Sequence, residues 1–319
     1  MANKENENKK NIHSILILLI FAVFICVIAV FSNNSKNNTT LYGNIGIDNE
    51  LLNVIYFNVG QADSTLITIN GYTMLIDTGN DSDGYYIAEF LKAQNINKID
   101  YLILTHSDED HIGGTSKIIE ELDINIIYTP DIGSKTKIYS NLIDTASQYN
   151  VKIDKTLTAS DEINYNLGKA TWKVLNINSD NVNNTNDSSI VIELSYNNTK
   201  YLFMGDATTK VEKSRTWNTV DVLKVGHHGS KSSTSESFLD QVNPKFAIIS
   251  TDGRYNHPSI EILNRLENRN IKIYRTDQNN TIWFTSNGID INVKELDCSL
   301  DGKRQKAIKL NKQFIFYFS

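Results

Sequence analysis

The stretch LILTHSDEDHIGG, Leu102 to Gly114, restricts the fold of this chain more than any other. An apolar run ends at Thr105 and leads directly into His106, Asp108, Asp110 and His111. A turn leaving a strand carries alternate side chains on one side, so His106, Asp108 and Asp110 are expected to converge. His111 then approaches from the start of the following helix. Gly113 and Gly114 are expected to let the backbone pass close to a metal. The same arrangement recurs along the chain. MLIDTG puts Asp77 at the end of an apolar strand, YLFMGDA does so with Asp206, and VLKVGHHGS with His227 and His228. STDGRYNHPS places His257 between a strand and a helix. Of the six histidines, only His13 falls outside these motifs. Any one of them alone reads as a packed or solvated side chain. Open α/β sheets gather ligands outside the carboxyl ends of their strands, so the set as a whole reads as a metal centre.

Between these motifs, short β-branched runs such as NVIYFNV, STLITI, YTMLID, SSIVIELSY and KFAIIS read as strands. GYYIAEFLKAQN, HIGGTSKIIEEL and SIEILNRLENR read as amphipathic helices. Two halves, each with strands followed by helices, predict two packed sheets with helices outside, a four-layer α/β arrangement. A content of 40% hydrophobic and 21% charged residues suits a globular domain, and the net charge of −6 offers no general reason to expect a nucleic-acid binder. Cys26 and Cys298 belong to no cysteine-based metal motif.

The run Ser14 to Ser32, SILILLIFAVFICVIAVFS, has an uncharged apolar core near the lower limit for crossing a bilayer. Lys9 and Lys10 precede it and no basic residue follows before Lys36. The positive-inside rule therefore predicts a cytoplasmic N-terminus at 1–13, a transmembrane signal anchor at 14–32 and the remainder outside the cell. A cleaved signal peptide is the rival, but no A-x-A site follows the run. Residues 33–51 read as a polar linker, and 52–293 as the α/β domain. The segment 294–319 reads as a basic tail of unknown role and a poorly ordered terminus.

The ordered motifs D-T-G, H-x-D-x-D-H-x-G-G, G-D and H-H-G-S resemble the metallo-β-lactamase fold hydrolase superfamily. FNVGQADSTLI, KVGHHGSKSSTSESFL and NHPSIEILNRL make residues 52–293 most similar to the hydrolase domain of ComEC-type DNA-uptake proteins. The resemblance implies a four-layer αββα fold of two mixed sheets, here behind one N-terminal transmembrane helix. It also implies a binuclear site. His106 and Asp108 would hold one metal, Asp110 and His111 the second, and Asp206 would bridge them. His227 or His257 would complete the set, and Asp77 would orient the ligands. Two departures stand out. The superfamily has His where Asp108 stands, and a further His where this chain reads NNTNDSS. Asn186, Asp187, Ser188 or water would fill that place. Such a site is richer in oxygen, which favours manganese, with zinc or magnesium as alternatives for the two divalent ions.

The expected function is a membrane-anchored, extracytoplasmic phosphodiesterase or nuclease that acts on DNA, linked to competence. Its chemistry would be attack by a hydroxide activated between two metals. Asp110 or Asp206 would position the attack and His228 or His257 would protonate the leaving oxygen, while Ser230 and Lys231 would grip phosphate. Hydrolysis of a lactone, β-lactam or thioester, or a non-catalytic metal-binding module, are the alternatives.

Overall fold

Along the strand Leu52–Tyr56, Leu52, Val54 and Tyr56 face one apolar cluster while Ile55 faces another. The two-residue period of a strand makes this separation, and it sorts the protein into layers. The computed structural model describes residues 42–131, 135–177, 184–303 and 305. The expected N-terminal segment 1–13 and the anchor 14–32 lie outside the described residues. Among those described, no helix is long and apolar enough to cross a membrane.

Two mixed sheets form the middle of the domain, one of eight strands and one of seven. In the first, Tyr72–Ile76, Tyr101–Ile103, Ile127–Tyr128 and Ile153–Asp154 run parallel. In the second, Thr199–Phe203, Val222–Lys224, Phe246–Ile249 and Lys272–Arg275 run parallel. The central core draws Val54, Ile67, Met74 and Phe284 from one sheet and Trp172, Ile192, Leu194 and Phe203 from the other. On the outer face of the first sheet, Leu66, Leu75 and Leu102 pack with Ile87, Phe90 and Leu91 of helix Gly84–Ala93. On the outer face of the second, Leu202, Leu223 and Ala247 pack with Phe238 and Leu239 of helix Glu236–Val242. Ile262 and Leu266 of helix Ile260–Glu267 join that outer cluster. Helix, sheet, sheet, helix is therefore the layer order, as the alternation of elements predicts.

The end of the chain is less legible in the sequence. Strands Thr281–Ser286 and Ile291–Leu296 return to the first sheet, where Phe284 pairs with Val54. The second of these runs three residues past the expected boundary at 293. Beyond it, buried Leu300 donates its backbone N–H to Asn58 O at 2.7 Å, and Gly302 donates its own to Asp83 Oδ1 at 2.7 Å. Residues 294–303 are thus part of the domain: an apolar side chain and two backbone donors find partners on it.

Candidate metal centre

Asp77, His227 and His228 all adopt left-handed backbone conformations, with φ of 58°, 49° and 51°. Each costs roughly 1–2 kcal/mol for an L-residue with a side chain. Strain of this kind persists where the surroundings over-determine it, commonly at functional sites. Here the turns bring side chains from both sheets to one place. Strand Tyr72–Ile76 leads to Asp77 and Tyr101–Ile103 to His106. In the second sheet, Thr199–Phe203 leads to Asp206 and Val222–Lys224 to the two histidines. Asp110 and His111 lie on the short helix Glu109–Ile112.

The hydrogen bonds behind the imidazoles determine which nitrogen of each ring is free. His228 Nδ1 lies 2.9 Å from the Ser250 carbonyl oxygen, which can only accept. In the neutral ring Nδ1 therefore carries the proton and Nε2 the lone pair. His111 Nδ1 lies 2.8 Å from Asp77 Oδ2, with the same consequence. The Thr105 hydroxyl donates to Asp77 Oδ2 at 2.8 Å, so its oxygen accepts from His106 Nδ1 at 3.1 Å. His227 Nδ1 lies 3.1 Å from the hydroxyl of Ser232 and 3.4 Å from the amide nitrogen of Asn186, and its Nε2 faces Asp206 Oδ2 at 3.7 Å. Three Nε2 atoms are thus oriented as ligands from behind, and that of His227 faces the same carboxylate.

Asp206 stands between them. Its Oδ1 is 3.2 Å from His111 Nε2 and 3.8 Å from His228 Nε2. Its Oδ2 is 3.7 Å from His227 Nε2 and 4.0 Å from His106 Nε2. Asp110 Oδ2 lies 3.3 Å from His228 Nε2, and Asp108 Oδ2 lies 3.7 Å from His106 Nε2. Two groups, His106–His111–Asp206 and Asp110–His111–His228, each bring their ligand atoms within 4.8 Å of one another. The buried Nε2 atoms of His106, His111 and His228 and Oδ1 of Asp206 have no hydrogen-bond partner among the described residues. Buried polar atoms are rarely left unpaired, and a divalent cation would satisfy all four. The residues present fit the group.

Electrostatics agree. Burial opposes a charge on His111, but Asp206, Asp77 and Asp110 outweigh it and hold the imidazole pKa well above its ordinary value. Burial likewise opposes the Asp206 carboxylate, but His111 and His228 outweigh it and keep its pKa well below the usual range. Asp110, despite burial, is pushed down to about 2 by His111 and His228. The centre holds an excess of carboxylate charge that draws a cation or a proton.

The sequence-predicted residues do not all meet. His106, Asp108, Asp110, His111, Asp206, His227 and His228 converge, and Asp77 stands directly behind His106 and His111. The resemblance left the completing histidine open between His227 and His257, and the fold sets His228 against Asp110 and Asp206. Half-buried His257 stands outside the group, its ring 5.5 Å from that of His227. Ser230 and Lys231 line a neighbouring cleft with His257. In the segment where the superfamily has a further histidine, Asp187 Oδ1 accepts from Thr208 Oγ1 and its Oδ2 faces Lys210 Nζ at 3.5 Å. The Ser188 hydroxyl donates to Thr185 O. The Asn186 amide nitrogen lies 3.4 Å from His227 Nδ1. A Cβ on Gly114 would stand 2.3 Å from Thr78 O, and one on Gly113 2.4 Å from Asp81 N, so they admit the 78–84 loop.

Two participants escape the sequence motifs. Asp63, in the turn before strand Thr65–Ile69, forms a buried ion pair at 2.7 Å with Lys224. Its Oδ1 lies 3.6 Å from His228 Nδ1. A lysine inside the apolar run VLKV and a carboxylate between two strands were the available signals, because neither is buried without a partner.

The metallo-beta-lactamase superfamily model matches residues 57–137 and 184–254. The chain is 33% identical over 202 residues to ComE operon protein 3 of Bacillus subtilis, covering 61% of this chain and 26% of that protein. It is 34% identical over 220 residues to Recombination protein 2 of Haemophilus influenzae, covering 66% and 26%. To Competence protein ComA of Neisseria gonorrhoeae it is 27% identical over 239 residues, covering 72% and 32%. The matched part is therefore about a quarter to a third of the length of these relatives.

Proposed function

The chain carries a metallo-beta-lactamase superfamily domain, and from that premise we propose that it is a divalent-metal-dependent phosphodiesterase that cleaves DNA. The observation that carries this reading is the convergence of His106, His111, His228 and Asp206 with unpaired buried ligand atoms. Similarity to a recombination protein and a competence protein supports DNA as the substrate class. With the anchor at 14–32, the domain would act outside the cell membrane, on DNA during uptake.

His106, Asp108 and His227 would hold one ion, Asp110, His111 and His228 the other, and Asp206 would bridge them. Bound there, the ions supply positive charge for phosphate oxygens and acidify water. Asp108, in place of a superfamily histidine, adds oxygen to the site and supports manganese over zinc. Asp77 and Thr105 hold the proton on Nδ1 of both His111 and His106. Asp110, whose side chain is 33% exposed, is placed to orient the attacking water. His228 is committed through Nδ1 to Ser250, which suits a ligand better than the proton donor expected from the motif. Burial and the neighbouring His227 and His228 hold the His257 pKa down, so its ring serves better as a hydrogen-bond donor to phosphate than as an acid.

The test is to strip metal from the full chain and add manganese, magnesium or zinc separately. Single-stranded DNA, bis-nitrophenyl phosphate, a lactone and nitrocefin serve as substrates. Manganese-dependent phosphodiester cleavage, lost in Asp110→Ala, is the expected result. Turnover of the lactone or nitrocefin alone, or no turnover with any metal, refutes the proposal.

A further inference from the structure

We propose that the cleft beside the metal centre is a nucleotide subsite in which Tyr255 stacks on a base of single-stranded DNA next to the scissile phosphate. The proposal rests on the phosphodiesterase reading above and names the form of its substrate.

Tyr255 is 74% exposed at the middle of the turn Arg254–Asn256. It has φ of 58°, between Gly253 at 84° and Asn256 at 56°. An aromatic residue in that conformation is strained, and the hydrophobic effect would ordinarily bury its ring. The backbone on either side explains how the turn is held. The hydroxyl of buried Thr251 lies 2.8 Å from His257 O and 3.1 Å from Gln61 Oε1, and it accepts the Gly253 N–H at 3.0 Å. Beyond the turn, His257 N–H donates to Arg254 O at 3.0 Å and Ser259 N–H to Gly229 O at 2.9 Å. The loop is tied at both ends while the ring stands in water.

The ring also points the way to the metal centre. Tyr255 stands edge-on to His257 with centroids 6.4 Å apart, His257 edge-on to His227 at 5.5 Å, and His227 faces Asp206 at 3.7 Å. Tyr255 and His257 line a cleft of about 750 Å³ with Ser230, Lys231, Pro258, Ile260 and Glu261, whose carboxylate faces Arg265 Nη2 at 3.7 Å. That volume lies in the range of small-ligand sites. Lys231 is exposed and makes no ion pair or hydrogen bond with the described residues. Ile260, 71% exposed, adds apolar surface on the same rim.

The charge balance says what such a cleft would bind. With a net charge of −6 the chain is poorly suited to hold DNA mainly through phosphate contacts. Stacking of a base on an exposed aromatic ring supplies affinity independent of charge and of sequence. It requires an accessible base face, which a single strand offers and an intact duplex does not.

The test measures binding apart from cleavage. Fluorescence anisotropy of the full chain with chelator present compares a labelled oligothymidylate with an abasic strand of equal length. Tyr255→Ala is expected to weaken oligothymidylate binding roughly 5- to 100-fold and to leave the abasic strand unaffected, with Tyr255→Trp restoring affinity. Equal affinity in Tyr255→Ala, equal loss on both strands, or no preference of the unaltered chain for the base-bearing strand would each overturn it. Tyr255-dependent binding without cleavage under any metal would sink the phosphodiesterase reading and leave the stacking subsite standing. Cleavage that persists with unchanged binding in Tyr255→Ala would do the reverse.

Discussion

Asp77 Oδ2 lies 2.8 Å from His111 Nδ1 and accepts the hydroxyl of Thr105, whose oxygen lies 3.1 Å from His106 Nδ1. One carboxylate thereby holds two imidazoles with Nε2 facing Asp206. Partners of this kind typically change metal affinity 10- to 100-fold. Asp77→Asn is expected to weaken binding of at least one ion by about that factor, measured by titration against a coloured chelator. An unchanged affinity would refute the orienting role.

Lys224 and Asp63 are both almost wholly buried and face each other at 2.7 Å. Removing one partner of such a pair leaves an unpaired charge in the interior, at a cost of about 3–5 kcal/mol. Lys224→Met should show that loss in urea unfolding of the metal-free chain. Lys224→Met with Asp63→Asn should recover most of it. Equal instability in the single and double variants would mean that packing, not charge, is what Lys224 supplies.

In the metal-free protein, stability is expected to peak near pH 6.5. His111 and His228 have raised folded-state pKa values: burial opposes their charge but the surrounding carboxylates outweigh it. Their contribution is complete below the unfolded value of about 6.5 and is lost as pH rises through the folded values. His227 and His257 are lowered, chiefly by burial, so their contribution is lost as pH falls below 6.5. Thermal melts from pH 5 to 9 with chelator present test this. A monotonic profile would contradict it. Cation binding must displace the proton from His111, so calorimetry near neutral pH should register proton release.

Asp108 offers an oxygen 3.7 Å from His106 Nε2, where the superfamily resemblance leads one to expect imidazole. Asp108→His should raise affinity for zinc relative to manganese, on the order of tenfold. Competition between the two metals, read by elemental analysis, gives the ratio. An unaltered ratio would show that this carboxylate does not set the preference.

Gly114→Ala places a methyl group 2.3 Å from Thr78 O and 2.7 Å from Gly84 Cα, both backbone atoms with little room to yield. The expected loss is at least about 1–3 kcal/mol, visible as a lower Tm. Gly43→Ala is the control, since a Cβ there meets nothing within 4 Å.

Much of this protein could be read before its fold was known. Hydrophobic periodicity marked the strands, and strand ends carrying His or Asp marked the residues that gather at the metal centre. These are local signals: an apolar run ends, a ligand follows, and the sheet geometry places both. Tertiary structure decided what sequence distance hides. His227 and His228 are adjacent, and only their left-handed backbone sets His228 against Asp110 and His227 on the other side of Asp206. Asp63 and Lys224 are 161 residues apart, one in the turn before a strand of the first sheet and the other on a strand of the second, so neither could be matched to the other from composition or spacing. The closing strands Thr281–Ser286 and Ile291–Leu296 pair beside Leu52–Tyr56, a contact between the two ends of the domain. The order of residues along the chain sets which residue types stand at the ends of strands. The packing of one sheet on the other, which buries charges and compels them to find partners, decided which atoms meet.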